Sequence, residues 1–546
     1  MAEQWTPTLH TARRSRQAPP EQADVVVVGC GIGGLTAAAY LARTGLKVAC
    51  FEAHYVAGGC TTQFHRKAEA GRFNFDVGLH YVGDPDGAIR QLLRGVGQDV
   101  EPIAMDLDGF DRFVFPDFTF PVPADRRTYR DRLVEFFPHE RKGIDVYVKF
   151  LEQLSRLGKA NDRSKGKPTL SLALAGLRAP IALKYMHRTI GELLDAHVRD
   201  PKCKAVMLGQ NGDYGLPPGQ VSALLHGGLA NHYFDGPWYP KGGGQVLADR
   251  MADAIEDAGG TIHLRRPIER ILVEGGRVVG VRTEDKNGQV FETRAAQVIS
   301  NADLKKTMLD LIGPEHLPDQ VVRKTKDYKW PSGLFMTVLG VRGDLAELGM
   351  KRSNYWQFDE YDFDHLYAQV DAREPHARAA YITSASLKDP DTDHHAPPGH
   401  QTLEIMTMVP GGAAAWGAVP DEVVGWKYRK SERYHALKQA LEDDLIERAE
   451  RLFPGVKERI VYRESATPLT HTRYTRATNG TSYGISSTPD QFLKGRPGPR
   501  GPLGGLYLCG ASLRSGHGIV GAMLGGHVAA AVAAKDAGRT VVDPYA

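Results

Sequence analysis

The stretch Val25-Val26-Val27-Val28-Gly29-Cys30-Gly31-Ile32-Gly33-Gly34-Leu35, answered later by Glu52, decides the fold. Four consecutive β-branched residues read as a strand buried on both faces. The glycines read as a tight turn, and the apolar run after them, residues 35–44, as a helix that Gly45 ends. Gly29 permits the turn, Gly31 lets the backbone approach a phosphate, and Gly34 lets the helix pack close to the strand. The helix start aims unpaired N–H groups at an anion. Residues 47–51 form a second strand, and Glu52 follows it about 20 residues beyond the turn, where a carboxylate can accept both hydroxyls of a ribose. The stretch is a pocket for a dinucleotide pyrophosphate, and Gly29, Gly31, Gly33, Gly34 and Glu52 are its candidate binding residues.

The unit does not close in one block. Gly58-Gly59 and Phe75-Asp76-Val77-Gly78-Leu79-His80-Tyr81 follow, then a long mixed region to Trp238. At Tyr239-Pro240-Lys241-Gly242-Gly243-Gly244 the character changes. A helix is predicted over 245–258, then β runs over 261–264, 268–273 and 278–283, with hairpin turns at Gly275-Gly276 and Asn287-Gly288. Residues 297–300 return to the core as a strand. A second insert holds strands near 334–341, 380–386 and 402–409 and a charged helix over 421–453. Leu506-Tyr507-Leu508-Cys509-Gly510 is a buried strand leading through Gly516, Gly518, Gly521, Gly525 and Gly526 into an apolar helix. The fold class is α/β. A Rossmann-like nucleotide-binding domain is assembled from 24–85, 239–304 and 501–535, an inserted α+β substrate domain from 86–238 and 305–500, and residues 1–23 form a flexible tail.

Composition bounds the function. A chain of 546 residues with 42% hydrophobic residues has ample core, and a net charge of +3 is too small to argue for nucleic acid as a partner. Five scattered cysteines without a C-x-x-C pair indicate a reducing compartment, read as the cytoplasm. Residues 1–23 lack the apolar core of a signal peptide, and no stretch reads as the ~20 apolar residues needed to cross a bilayer. Asp391, Asp393, His394, His395 and His400 are metal-ligand types, but Pro390, Pro397, Pro398 and Gly399 break them into a polar loop, so no metal site is expected. Residues 170–186, apolar with sparse positive charge, read as the wall of an apolar tunnel, a reading compatible with contact at a membrane surface.

These motifs together resemble the phytoene desaturase, carotenoid isomerase and retinol saturase group of flavoproteins, within the larger amine-oxidase-like fold. The glycine turn with Glu52 is similar to the group's site for the FAD pyrophosphate and ribose. Gly58-Gly59 matches the double glycine beside the flavin, and Phe75 to Tyr81, with Gly78, resembles the retinol saturase form of the next flavin loop. Asp213-Tyr214-Gly215, Asn231-His232-Tyr233 and Tyr239-Pro240-Lys241-Gly242-Gly243 look like the same branch, as do Thr467-Pro468-Leu469-Thr470 and Tyr483-Gly484. Gly510 to Gly526 resembles the closing motif that carries the ribityl chain and ring. Cys60 departs from the amine-oxidase pattern, where an arginine commonly follows the two glycines. That argues against simple amine oxidation and leaves covalent flavin attachment at Cys60 as a minor alternative.

The resemblance implies an FAD enzyme with Ile268 facing adenine and Gly510, Gly518, Gly521 and Ala522 facing the flavin. It implies hydride transfer between flavin N5 and a C=C carbon of a hydrophobic conjugated polyene, with a proton donor opposite. Candidates for the donor are His80 and Tyr81, ranked first because their loop should touch the flavin ring, then Asp213 and Tyr214, ahead of His226, His232 and Tyr233. No second dinucleotide fingerprint is present, so an external electron donor or acceptor is expected, whether a partner, a diffusible reductant or the substrate itself. Rival readings are a natural-product tailoring enzyme coupling reduction to cyclisation, a flavin-dependent cis-trans isomerase, and a non-enzymatic carrier of prenylated partners resembling the Rab dissociation-inhibitor proteins.

Overall fold

The computed structural model describes residues 14 and 17–545, apart from 165–168, 286, 371–374, 420–422, 424 and 425. The valine run forms the strand Val25–Val28, central in a five-stranded parallel sheet. Val48–Phe51 and then Thr261–His263 lie on one side of it, and Gln297–Ser300 and then Leu506–Leu508 on the other. All four valines are buried, as a central parallel strand requires. Strand order reverses at this strand, so its carboxyl end, where Gly29 begins the turn, is the switch point at which such sheets bind ligands.

The helix after the turn runs Ile32–Ala42, starting three residues earlier than expected because Gly31 itself serves as N-cap. The C-terminal helix Gly518–Asp536 packs along it. Close approach needs small residues: a Cβ on Gly526 would strike the Gly33 carbonyl. The C-terminal helix is long and apolar enough to cross a membrane, contrary to the sequence expectation, but half of its most apolar stretch is buried inside the protein, as for a core helix.

A three-stranded antiparallel sheet, Ile268–Glu274, Arg277–Glu284 and Val290–Arg294, turns at Gly275-Gly276 with both glycines at positive φ. A seven-stranded sheet spans the inserts. Its order is Ile460–Ala466, Gly333–Arg342, His400–Val409, Ala379–Thr383, Asn354–Phe358, Asp111–Val114 and Thr119–Val122. Within it Asn354–Phe358 pairs with Asp111–Val114 in parallel, setting Asn354 directly beside Asp111.

Three expectations are corrected. The strand near 380–386 stops at Thr383, because Ser384 accepts from the Leu387 N–H and caps a short helix, Ala385–Lys388. The charged helix runs Glu432–Leu452, after a turn at Lys427–Lys430. The tail reading falls largely outside the described residues, but its described part is anchored. Arg14 makes a two-pronged pair with Glu256 at 2.9 and 3.0 Å, and Ala23 donates to the Arg294 carbonyl at 3.0 Å.

Candidate functional site

A cavity of about 890 Å³ opens at the carboxyl end of the central strand and continues into the insert sheet. Two helix N-termini converge on it. Neither Gly31 nor His517, the two N-caps, has a side-chain cap, and Gly31, Ile32, Gly33, Gly518, Ile519 and Gly521 all line the cavity. Uncapped N–H groups at helix starts attract an anion.

The cradle is built from missing side chains. A Cβ on Gly31 would lie 2.7 Å from Asn301 Nδ2, and one on Gly510 would lie 2.9 Å from Asn301 Oδ1. Asn301 therefore seats the N-terminal turn against the C-terminal segment. Gly58 and Gly59 have φ of 134° and 61°, where a side chain would strain the backbone, and Gly518 faces open space. Gly58 donates to the Cys30 carbonyl at 2.7 Å, holding the double glycine beside the turn. Glu52 accepts from the backbone N–H groups of Cys30, at 2.7 Å, and His54, at 2.8 Å, and lines the cavity. Burial raises its pKa against the pull of those bonds. Gly29, Gly78, Ile268 and Ala522 also line the cavity. Gly34 does not: a Cβ there would strike the Gly29 carbonyl, so it serves packing rather than contact. An extended phosphate-bearing cofactor with a ribose near Glu52 fits this cradle.

Beyond the cradle the lining turns apolar, with Leu225, Leu334, Met336, Trp356, Phe358 and Met406. His80, Tyr81, Asp213, His232 and Tyr233 also line the cavity. The Asp213 carbonyl lies 3.1 Å from Nε2 of His517, the N-cap of the last helix, and a Cβ on neighbouring Gly212 would strike the Trp356 ring, so Asp213 stands where the two parts meet. Tyr81 and Tyr233 stack with ring centroids 4.4 Å apart. The Asp213 carboxyl Oδ2 lies 3.0 Å from the Tyr233 hydroxyl and 3.3 Å from that of Tyr81. Burial, reinforced by the nearby Asp111, pushes Asp213 up to about 7. His80 is buried, with Nδ1 3.4 Å from Glu404 Oε2 and no hydrogen bond at either ring nitrogen among the described residues. His232 Nε2 accepts from the Gly83 N–H at 2.7 Å, and burial lowers it to about 4, so it is a neutral structural acceptor.

Tyr214 is corrected: it points away from the cavity, its hydroxyl 3.1 Å from His226 Nδ1, and Tyr147 takes Nε2 at 2.8 Å. His226 is thus a satisfied core residue, lowered to about 3 by burial. The tunnel-wall reading of 170–186 is also corrected. None of these residues lines the cavity, and Leu170, Leu174, Leu177 and Leu183 are exposed. His394 instead bonds Gln63, and His395 bonds Asp389 at 3.2 Å; among the described residues no cluster has the makings of a metal site. Cys60 lines the cavity, and burial raises its thiol to about 11, keeping it protonated.

Sequence reasoning missed Asp111, which is fully buried behind Tyr81 and accepts from its hydroxyl at 3.0 Å. The signal was present: Asp111 shares its inward-facing alternation with Phe113 and Phe115, an acid in a row otherwise filled by phenylalanine. Asn301 lies just past the strand expected over 297–300, and no spacing in the sequence marks its role.

Residues 32–534 match the family described as flavin containing amine oxidoreductase. The chain is 31% identical to all-trans-retinol 13,14-reductase of Danio rerio, over 93% of this chain and 85% of that protein. It is 27% identical to the human protein of that name, over 93% and 84%, and 26% identical to the chloroplastic prolycopene isomerase of Daucus carota, over 95% and 81%. Among solved structures, an oxidoreductase from Methanosarcina mazei shares the fold with a TM-score of 0.61 at 18% identity, covering 92% of this chain and 98% of that one. Putrescine oxidase bound to putrescine shares it with a TM-score of 0.58 at 15% identity, covering 95% and 100%.

Proposed function

The chain belongs to the flavin containing amine oxidoreductase family, and from that premise we propose an FAD-dependent oxidoreductase acting on C=C bonds of a conjugated polyene. One observation carries the reading: the glycine cradle and the apolar chamber are parts of one cavity, and Asp213 sits between them. FAD, rather than a mononucleotide, suits a cradle that reaches from Gly518 to Glu52 and Ile268. The uncapped helix starts at Gly31 and His517 bind the anionic parts, and Glu52 orients the ribose. Bound flavin supplies or accepts the hydride.

The chain's own residues do the rest. Leu334, Met336, Phe358 and Met406 exclude water and hold an apolar substrate in line. Tyr81, Asp213 and Tyr233 hold the exchangeable proton at the junction, with His80 beside them. Residues 86–238 and 305–500 act as the substrate-binding part. The exposed leucines 170, 174, 177 and 183, with Arg178 and Lys184 nearby, support peripheral membrane contact through which such a substrate arrives. Reducing equivalents come from an external donor, because nothing in the sequence reads as a second nucleotide fingerprint.

The test is anaerobic incubation of the reduced protein with retinoid and carotenoid polyenes, followed by product masses. A gain of two hydrogens shows saturation. Loss of two hydrogens on the oxidised protein shows desaturation, and unchanged mass with a shifted spectrum shows isomerisation. No change in any polyene would refute the reading.

A further inference from the structure

We propose that Asp213 is the proton donor and acceptor of the cavity, and that Asp111 is a positioning residue which, acting through Tyr81, keeps that donor protonated. The proposal rests on the polyene reading for its substrate, but its physical core is a count of hydrogens along one buried chain.

The chain starts at Lys388, whose buried ammonium donates to Thr383 Oγ1 at 2.7 Å and to the His80 carbonyl. An ammonium has hydrogens and no lone pair. Thr383 Oγ1 is therefore an acceptor on that side, and its own hydrogen goes to Asn354 Oδ1 at 2.8 Å. This fixes the Asn354 amide, whose Nδ2 donates to Asp111 Oδ1 at 3.0 Å. On Asp111 Oδ2, the Gln210 Nε2 donates at 2.8 Å and the Tyr81 hydroxyl at 3.0 Å. Three donors converge on Asp111, as an ionised carboxylate requires.

Tyr81 has one hydroxyl hydrogen, and Asp111 takes it. The 3.3 Å contact between Tyr81 Oη and Asp213 Oδ2 then has a hydrogen only if Asp213 supplies it. Tyr233, whose hydroxyl also lies beside that of Tyr81, has one hydrogen as well, and donates it to the same Oδ2 at 3.0 Å. The direction set at Lys388 thus ends at a neutral carboxylic acid on the cavity wall.

The surroundings agree. Tyr81, Tyr233, Tyr214, Tyr381 and Tyr483 face Asp213 from their several elements, and His517 Nε2 lies 3.1 Å from its backbone carbonyl. Burial lowers His517 to about 4, so it brings no charge, and Asp111 is the charge that Asp213 feels. Asp111 in turn faces Tyr81, Tyr233, Tyr381, Asp213 and, across the relay, Lys388. Burial raises Asp111 to about 6 and, with the Asp111 charge added, Asp213 to about 7. The two titrate as a pair, and Asp213 keeps the last proton.

Delivery breaks the Asp213 O–H bond, leaves its electron pair on the carboxylate, and forms one C–H bond on the substrate. The hydride from flavin chemistry forms the other. Solvent re-protonates Asp213 afterwards, and in the desaturating direction the carboxylate takes the proton instead.

The experiment is infrared spectroscopy of the flavin-loaded protein across pH, with no substrate. The wild-type minus Asp213→Asn difference should show the C=O stretch of a protonated carboxylic acid, disappearing with a midpoint near the value of about 7. Asp111→Asn should move that midpoint down by about one pH unit, since a like charge has been removed. Thr383→Val leaves Asp111 in place but frees the Asn354 amide to turn, and should move it the same way. This second variant decides the matter if Asp111→Asn does not fold. The pH profile of polyene turnover should follow the band. Absence of the band at pH 6, or a midpoint unmoved in both variants, would overturn the proposal. A protein that shows the band and its shifts but converts no polyene fails the functional reading alone.

Discussion

A Cβ on Gly33 would lie 2.8 Å from the carbonyl oxygen of Ala522, although nearly the whole chain separates the two residues. The first turn and the last helix are thus pressed together, and the cofactor cradle exists only because both have folded. Gly33→Ala forces backbone apart at that contact. It should destabilise the protein by about 1–3 kcal/mol and lower its flavin content. Gly31→Val meets the end of a side chain, Asn301 Nδ2, so it should fold and yet lose flavin. The ratio of flavin to protein absorbance, with melting curves, checks both; full flavin occupancy in Gly31→Val would contradict the cradle.

Glu52 is held by two backbone N–H groups, those of Cys30 and His54, and is left facing the cavity. Glu52→Gln replaces one acceptor oxygen with a donor and leaves an N–H group opposed. FAD affinity should fall by about tenfold to a hundredfold, or about 1.4–2.8 kcal/mol. Titration of the apoprotein with FAD measures this, and an unchanged dissociation constant would remove Glu52 from the ribose site.

Tyr81 and Tyr214 are both buried tyrosines beside Asp213, but only Tyr81 lines the cavity. Tyr81→Phe should slow polyene conversion by about 10²–10⁴-fold. Tyr214→Phe loses its bond to His226, costing about 1 kcal/mol of stability, and should leave turnover and its pH profile intact. Equal losses in the two variants would mean that both act through packing.

The pH dependence of stability has a sign that can be worked out. Asp213 is raised from 3.8 to about 7 on folding, so between those values the folded state binds the extra proton. Its contribution is fully present below about 4 and is lost as pH rises through 7. Asp213→Asn lacks this dependence and should gain on the wild type with rising pH, by up to about 4 kcal/mol between pH 4 and pH 8. His226 and His232 act in the opposite sense. Their folded values are lowered to about 3 and about 4, so their stability is lost as pH falls below the ordinary histidine value of 6.5. Both are unchanged in the variant and cancel in the difference. Parallel melting curves for the two proteins at every pH would contradict the assignment.

The nucleotide-binding half was legible because its signals are local: a run of valines, glycines at fixed offsets, and an acid after the next strand. The proton chain was not, because Asp111 meets Asn354 through the register of a sheet, and no spacing in the sequence records that pairing. Asp213 and Tyr214 are neighbours in sequence, yet the turn at Asn211–Asp213 sends one toward the cavity and the other into the core. Residues 170–186 show the converse limit. Apolar content alone does not say whether a helix faces a tunnel or the outside, and the leucines of Leu170–Leu177 face out.

The most direct test is anaerobic spectroscopy of the flavin itself. Reduced protein mixed with a retinoid or carotenoid should regain the oxidised flavin absorbance at a saturable rate, or convert the polyene while the flavin stays reduced. Oxidised protein mixed with primary amines should keep its colour. Bleaching by an amine, with no polyene changing either its own spectrum or that of the flavin, would contradict the account.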